Sequence, residues 1–281
     1  MKKILVTTDF SDKSIAAIEY ACNLAKVFNT DLELFNSFVT VPSIGIDGGP
    51  GVMNETVLEA GINLNREKLD DLIKGLDESL KKGLTISTHV ANGDPVLSIR
   101  KYVKENNHDL IVMGSQGESR FEEIIFGSTT VDVMKTATCP VLAIPPDAKY
   151  RGISKMVYAT DLEEKDVEVI KHLCDLASEF DSEVVVFHAF GEDNMTAQED
   201  ADRFNEMLQE SVSYEKLKKE SITYGNSHDA ILEVIKKDLA NLIVMREKKR
   251  GIFSRLFHPD MVKRINFHTT IPLLTYNDNS L

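Results

Sequence analysis

The sequence predicts an α/β protein built as two tandem doubly wound domains, each with a five-stranded parallel sheet. Three observations lead there. The chain is 281 residues long, enough for two domains of ordinary size. It matches itself: residues 3–38 align without gaps on residues 155–190, and eleven of the 36 positions are identical, among them Thr8/Thr160, Asp9/Asp161, Cys22/Cys174, Phe28/Phe180 and Phe35/Phe187. Within each half, short apolar runs alternate with segments of helical periodicity, which implies right-handed crossovers, parallel strands and helices on both faces.

Taken in order, ILVT (4–7) reads as the first strand, and Ile15, Ile18, Cys22 and Ala25 recur at helical spacing behind Ser11 and Asp12, both good N-cap types. LELF (32–35) is the second strand. The segment 39–56 is rich in Gly and Pro and reads as a long loop. A helix follows from Leu58 to Leu80, then a strand at TISTHV (85–90). Pro95 suits the first turn of a helix that turns Val96, Ile99 and Val103 inward. LIVM (110–113) is apolar throughout, as a strand covered on both faces should be. A helix over Ser128–Thr136 and the strand VLAI (141–144) complete the half. In the second half the offset falls from 152 to 132, so that LIVM recurs at 242–245 and Pro140 meets Pro272; the long loop accounts for the difference. The strands there read MVYA, VVVF, ITY, LIVM and PLLT, each followed by a helix except the last. The domains are placed at 1–147 and 153–281, joined by the polar stretch PPDAKYRG (145–152).

Composition narrows the function. With 42 % hydrophobic residues the chain has a core to bury, and its net charge of −13 argues against nucleic acid or an anionic membrane as a partner. Asp9 interrupts the first apolar run far short of a signal-peptide core, and no stretch approaches the roughly 18 apolar residues of a membrane helix. Three cysteines without CxxC spacing indicate neither a disulfide framework nor a zinc site. The expectation is a reduced, cytoplasmic protein. The seven histidines show no metal-ligand spacing, and no Walker, GxSxG or GxGxxG motif is present.

The chemistry-bearing segment follows the fourth strand. Gly114, Gly117 and Gly127 stand at G-x2-G-x9-G spacing, with Ser128 and Thr129 next. Glycine lets a backbone approach phosphate oxygens without an intervening Cβ. The free N–H groups of residues 128–130 at a helix start, aided by the helix dipole, suit an anion. Turn formation and helix capping explain a lone Gly-Ser pair; the full spacing at the end of a central strand favours phosphate binding. Asp9, at the end of the first strand, suits either a ligand contact or a turn cap, and Asp161 at the equivalent position speaks for a partly structural role. Arg120, inside the glycine loop, reads equally as a phosphate partner and as a solvated arginine.

This glycine segment resembles the nucleotide-binding signature of the universal stress protein family, and TTD after the first strand and CPVLAIP at 139–145 resemble its other characteristic stretches. The resemblance covers almost the whole chain as two domains. It implies an adenine nucleotide alpha hydrolase-like fold, ATP with Mg²⁺ at the strand ends, and domain pairing through the last strands, here an intrachain pseudo-dimer with homodimer formation left open. By position, Thr8 and Asp9 would lie near adenosine, Ser37 would offer backbone groups to adenine, and Met113 and Gly114 would lie along the ribose. Gly117, Gly127, Ser128 and Thr129 would hold the phosphates.

The second half departs from this pattern. Gly114, Gly117, Gly127 and Ser128 become Arg246, Lys249, Pro259 and Asp260, so ATP binding of the same kind is not expected there. The basic run REKKRGIFSR reads most simply as a solvated charged loop. The resulting expectation is nucleotide-dependent regulation or stress tolerance, with ATP in the first domain and no residues assigned to catalysis. Two readings compete with it: an adenylyl-transfer or slow ATP-hydrolysing enzyme on the same fold, against which TTDFSDKS stands in place of SGGxDS or HxGH, and an interaction module without nucleotide, against which the intact glycines stand.

Overall fold

The structure is a computed structural model and describes residues 1–40, 55–115, 127–190, 197–223, 240–248 and 271–280. The first half runs β1 (Lys3–Thr7), α1 (Asp12–Phe28), β2 (Asp31–Phe38), α2 (Glu55–Gly75), α3 (Glu78–Lys81), β3 (Ile86–Asn92), α4 (Pro95–Asn106), β4 (Leu110–Gly114), α5 (Ser128–Thr136) and β5 (Val141–Ile144). The second half repeats it with β6 (Lys155–Ala159), α6 (Glu164–Ser178), β7 (Glu183–Phe190), α7 (Ala197–Ser211), β8 (Leu217–Thr223), β9 (Leu242–Arg246) and β10 (Leu273–Tyr276). The helices expected between β8 and β9 and between β9 and β10 lie outside the described residues.

Among the described residues ten strands form one sheet, in the order β3-β2-β1-β4-β5-β10-β9-β6-β7-β8. Each half is parallel and has the same topology, read outward from the centre. The halves meet where β10 pairs antiparallel with β5, Leu273 opposite Ala143, Leu274 opposite Leu142 and Thr275 opposite Val141. The seam is pseudo-twofold: Phe28 at the end of α1 meets its own counterpart Phe180, just beyond the end of α6, ring centroids 5.3 Å apart and edge to face.

Strand alternation divides the core in two. Ile4, Val6, Leu32, Leu34 and Val112 turn toward Ile18, Ala21 and Cys22 of α1, and this cluster runs on through Leu142, Leu274 and Tyr158. Leu5, Phe35, Ile111 and Met113 turn the other way, onto Ile99 and Val103 of α4 and Val133 of α5, and continue through Ala143 and Leu273 to Val157. Both clusters cross the seam, so the halves share one buried interior.

Local chemistry sets the ends of the elements. Asn29 and Asn107 close α1 and α4 in the left-handed conformation. Asp94 caps α4 by accepting from the Leu97 N–H at 2.9 Å, and Pro95 stands just inside. The expected Leu58–Leu80 helix is two helices, because Asp77 accepts the Ser79 N–H at 2.7 Å and starts a new one. Ser11 occupies the N-cap position of α1, but its side chain makes no cap bond to the helix; it donates instead to Asp9. No described helix is long and apolar enough to cross a membrane.

Candidate functional site

The strand order reverses between the parallel strands β1 and β4, with β2 added on one side and β5 on the other. Beyond the carboxyl ends of strands at such a switch point a crevice opens. It holds a cavity of about 290 Å³, just under the range small-molecule sites span, roughly 300–1,000 Å³. Its walls include Thr8, Asp9, Ser37, Met113, Gly114, Gly127, Ser128 and Thr129. These are the residues singled out in the sequence, except Gly117, which with Arg120 lies outside the described residues.

Each wall has a local cause. At the end of β1, Thr8 is buried, its hydroxyl 2.7 Å from that of Ser14 and accepting the Phe10 N–H at 3.0 Å. That turn puts Phe10 at φ +66°, unusual for a residue with a side chain. Asp9 faces the cavity while one of its oxygens accepts the Ser11 N–H at 3.1 Å, so the carboxylate combines a turn role with a place at the site. Asn36 donates to the Thr8 carbonyl at 2.9 Å and fixes β1 to β2. On the opposite wall Gly127 precedes α5 in an extended conformation, its N–H on the Ser115 carbonyl at 2.7 Å, while the Thr130 hydroxyl donates to the Gly114 carbonyl at 3.0 Å. The first turn of α5 therefore opens on the cavity with its backbone donors forward. Thr7, Ser14, Phe35, Pro95, Ile99 and Thr130 also line it. Of these the sequence pointed only to the Thr130 N–H; the others carry ordinary strand, cap or core signals.

Among the described residues of the second half, the position equivalent to Gly114 carries a buried side chain. Arg246, the counterpart of Gly114, is buried. Its Nε donates to Asp166 at 2.7 Å, its terminal nitrogens to Glu163 and, at 3.4 Å, to Asp278. Asp166 stands where the first half has Ser14, and also accepts from Tyr158 at 3.0 Å, Thr160 at 2.7 Å and the Asp161 N–H at 3.1 Å. Lys248 bridges Asp161 at 2.9 Å and Glu163 at 2.6 Å. Burial works against the charge of Arg246, but the bonds and charges of Asp166 and Glu163 outweigh it and hold the guanidinium firmly protonated. Glu163, likewise opposed by burial, is held below the usual carboxylate range by Lys248 and Arg246. The expectation of a solvated basic loop thus does not hold for Arg246 and Lys248; the rest of the run, with Pro259 and Asp260, lies outside the described residues. The signal was present in the sequence as a paired exchange, Gly114/Ser14 for Arg246/Asp166.

Other candidates resolve plainly. The three cysteines are free and buried, and burial pushes their thiols up, to about 11 at Cys22 and about 12 at Cys139 and Cys174. They are packing groups at neutral pH. A second cavity, about 410 Å³, lies between α1 and α2 against Phe10, Ile18 and Leu72, away from the strand ends. Among the described residues no cluster of His, Cys, Asp and Glu is set to hold a metal ion.

Fold and site together define a tandem α/β protein with a strand-end cavity in the first half and, at the place of Gly114 in the second half, a buried Arg246 held by ion pairs. The model of the universal stress protein family matches residues 1–145 and again 152–276, and the chain belongs to that family. It is similar to the universal stress protein MJ0531 of Methanocaldococcus jannaschii, 33 % identical over 150 residues, 53 % of this chain and 84 % of the relative. It is similar also to the universal stress protein YxiE of Bacillus subtilis, 32 % identical over 144 residues, 50 % of this chain and 97 % of the relative. Over the whole length its fold matches the crystal structure of a universal stress protein from Archaeoglobus fulgidus, with a TM-score of 0.71, 18 % identity and 98 % of each chain covered.

Proposed function

We propose that the first half, residues 1–147, binds one ATP with Mg²⁺ in the cavity at the β1/β4 switch point, and that the second half, residues 153–281, binds none and serves as its partner in an intrachain pseudo-dimer. The role is regulatory, in a stress response. The observation that carries this reading is the convergence of Gly114, Gly127, Ser128 and Thr129 on one cavity beside Thr8 and Asp9. A helix start facing a void with flexible, side-chain-free backbone is the arrangement a phosphate chain requires. The buried Arg246–Asp166 pair supports the asymmetry, since it occupies the matching place in the second half.

Calorimetric titration with Mg·ATP tests the reading. The expected stoichiometry is near one per chain, and a value near two would overturn the asymmetry. In the companion variant Gly127→Val a branched side chain takes the space before α5, and affinity falls about a hundredfold, equivalent to about 2.7 kcal/mol, with an unchanged circular dichroism spectrum. Wild-type affinity in that variant would place the phosphates elsewhere.

A further inference from the structure

We propose that Asn277, in the second half, is a positioning residue for the site of the first half: its side-chain amide holds the carboxyl end of the helix whose amino end faces the cavity. The proposal rests on the nucleotide reading above and extends it across the seam.

The observation is a pair of hydrogen bonds. Nδ2 of Asn277 donates to the carbonyls of Met134 at 2.8 Å and Ala137 at 3.1 Å. Met134 is in the last turn of α5 and Ala137 is its C-cap. The last carbonyls of a helix have no intrahelical partner, so these bonds satisfy groups that α5 cannot satisfy alone. The helix has nine residues, about 13 Å at 1.5 Å per residue. A body that short moves as a unit, and a shift at its carboxyl end displaces Ser128 and Thr129 at the other. Anion binding at a helix start depends on where those N–H groups point.

Asn277 is itself immobilised. It is 3 % exposed. Its Oδ1 accepts the Asn279 N–H at 2.8 Å, its N–H donates to the Ser280 hydroxyl at 2.8 Å, and its carbonyl accepts both the hydroxyl and the N–H of Ser280. The next residue, Asp278, is paired with Lys165 at 3.0 Å and with Arg246. The ion cluster around Arg246 therefore also anchors the turn that braces the first site.

The brace runs in one direction by design of the sequence. The turn after β5 is equivalent, with the Ala148 N–H on the Pro145 carbonyl at 3.0 Å just as the Ser280 N–H meets the Asn277 carbonyl at 3.0 Å. Pro145, however, has no side-chain donor to offer across the seam. The half with the intact glycine motif receives the brace, and the half without it supplies the brace.

Three proteins are compared by titration with Mg·ATP and by denaturant unfolding. Asn277→Asp keeps the acceptor for the Asn279 N–H but sets a carboxylate oxygen against two carbonyls; ATP affinity is expected to fall about fivefold or more. Thr275→Val removes a different seam bond, from the Thr275 hydroxyl to the Val141 carbonyl at 3.2 Å; it lowers stability and leaves ATP affinity within twofold. In the wild type, the Asn277 side-chain amide resonances shift on addition of ATP, by reciprocity of coupling, and Gly127→Val abolishes that shift. The resonance experiment decides the matter if Asn277→Asp fails to fold. Absence of ATP binding in the wild type would overturn the nucleotide reading and this proposal with it. Binding in the wild type, with affinity equal in Asn277→Asp or with unmoved Asn277 resonances, would overturn this proposal alone.

Discussion

Arg246 shows how one side chain changes what a site is. Gly114 leaves the end of β4 open, whereas Arg246 at the end of β9 lays a guanidinium across the same place and finds Asp166 already held by four other donors. Removing one member of a buried ion pair costs roughly 3–5 kcal/mol because the other charge is left behind. Arg246→Ala should therefore lower unfolding stability by about 3 kcal/mol, toward the low end because the Asp166 carboxylate keeps its remaining bonds. Adding Asp166→Ser, which recreates the first-half combination, should recover about half of that loss in a denaturant double-mutant cycle. Additive losses would show that the two side chains do not act as a pair. The glycine motif of the first half was legible because glycine, Ser and Thr at a helix start have few other uses in that spacing. The pairing was not legible as such, since the partners of Arg246 are 32, 80 and 83 residues away and only folding brings them together.

At the scale of elements, the apolar runs are the legible part: LIVM and VLAI emerge as β4 and β5 because strands covered on both faces carry an unbroken hydrophobic signal. The strand read as ITY is longer, Leu217–Thr223, and its first residues LKKES carry charge. It is an outer strand, where backbone pairing with β7 defines the structure and charge guards the edge. A buried polar group at the base of the first half was not anticipated either. Glu33 of β2 accepts from Tyr102 of α4 at 2.6 Å, meets His108 at 3.0 Å and Lys3 of β1 at 3.1 Å, and so ties two strands, a helix and a loop together. Burial pushes its carboxyl up, but those partners prevail and hold it down to about 2. A carboxyl depressed in the folded state contributes stability that is complete above its unfolded value, about 4.5, and is lost as pH falls toward 2. Glu33→Gln should thus cost about 2–3 kcal/mol at pH 7, and the two proteins should converge in unfolding free energy as pH falls from 4.5 to 2. A difference independent of pH would assign the loss to packing instead of charge.

For the whole molecule, the seam makes one body of two repeats. Leu142 and Leu274, paired across it, belong to the same buried cluster as Ile4 and Tyr158, so neither half ends at a surface there. Unfolding in denaturant is expected to be a single transition by both circular dichroism and tyrosine fluorescence, and two separated transitions would mean that the shared core does not couple the halves. The tandem repeat that announced this architecture is visible because the strand-one to strand-two segments of both halves keep their core spacing. The halves differ in the few places where they do not, Gly114 against Arg246 and Ser14 against Asp166 among them.

A seam of this kind has a consequence for inheritance. When two identical chains associate through their last strands, every substitution is made twice, and a change that suits one partner is imposed on the other. Here β5 and β10 belong to one chain, joined by the short stretch from Pro145 to Ser154. Association carries no dependence on dilution, and each half is free to vary alone. Gly114 and Arg246, Ser14 and Asp166, Pro145 and Asn277 are three such divergences, each placed where a symmetric assembly would have had to repeat it.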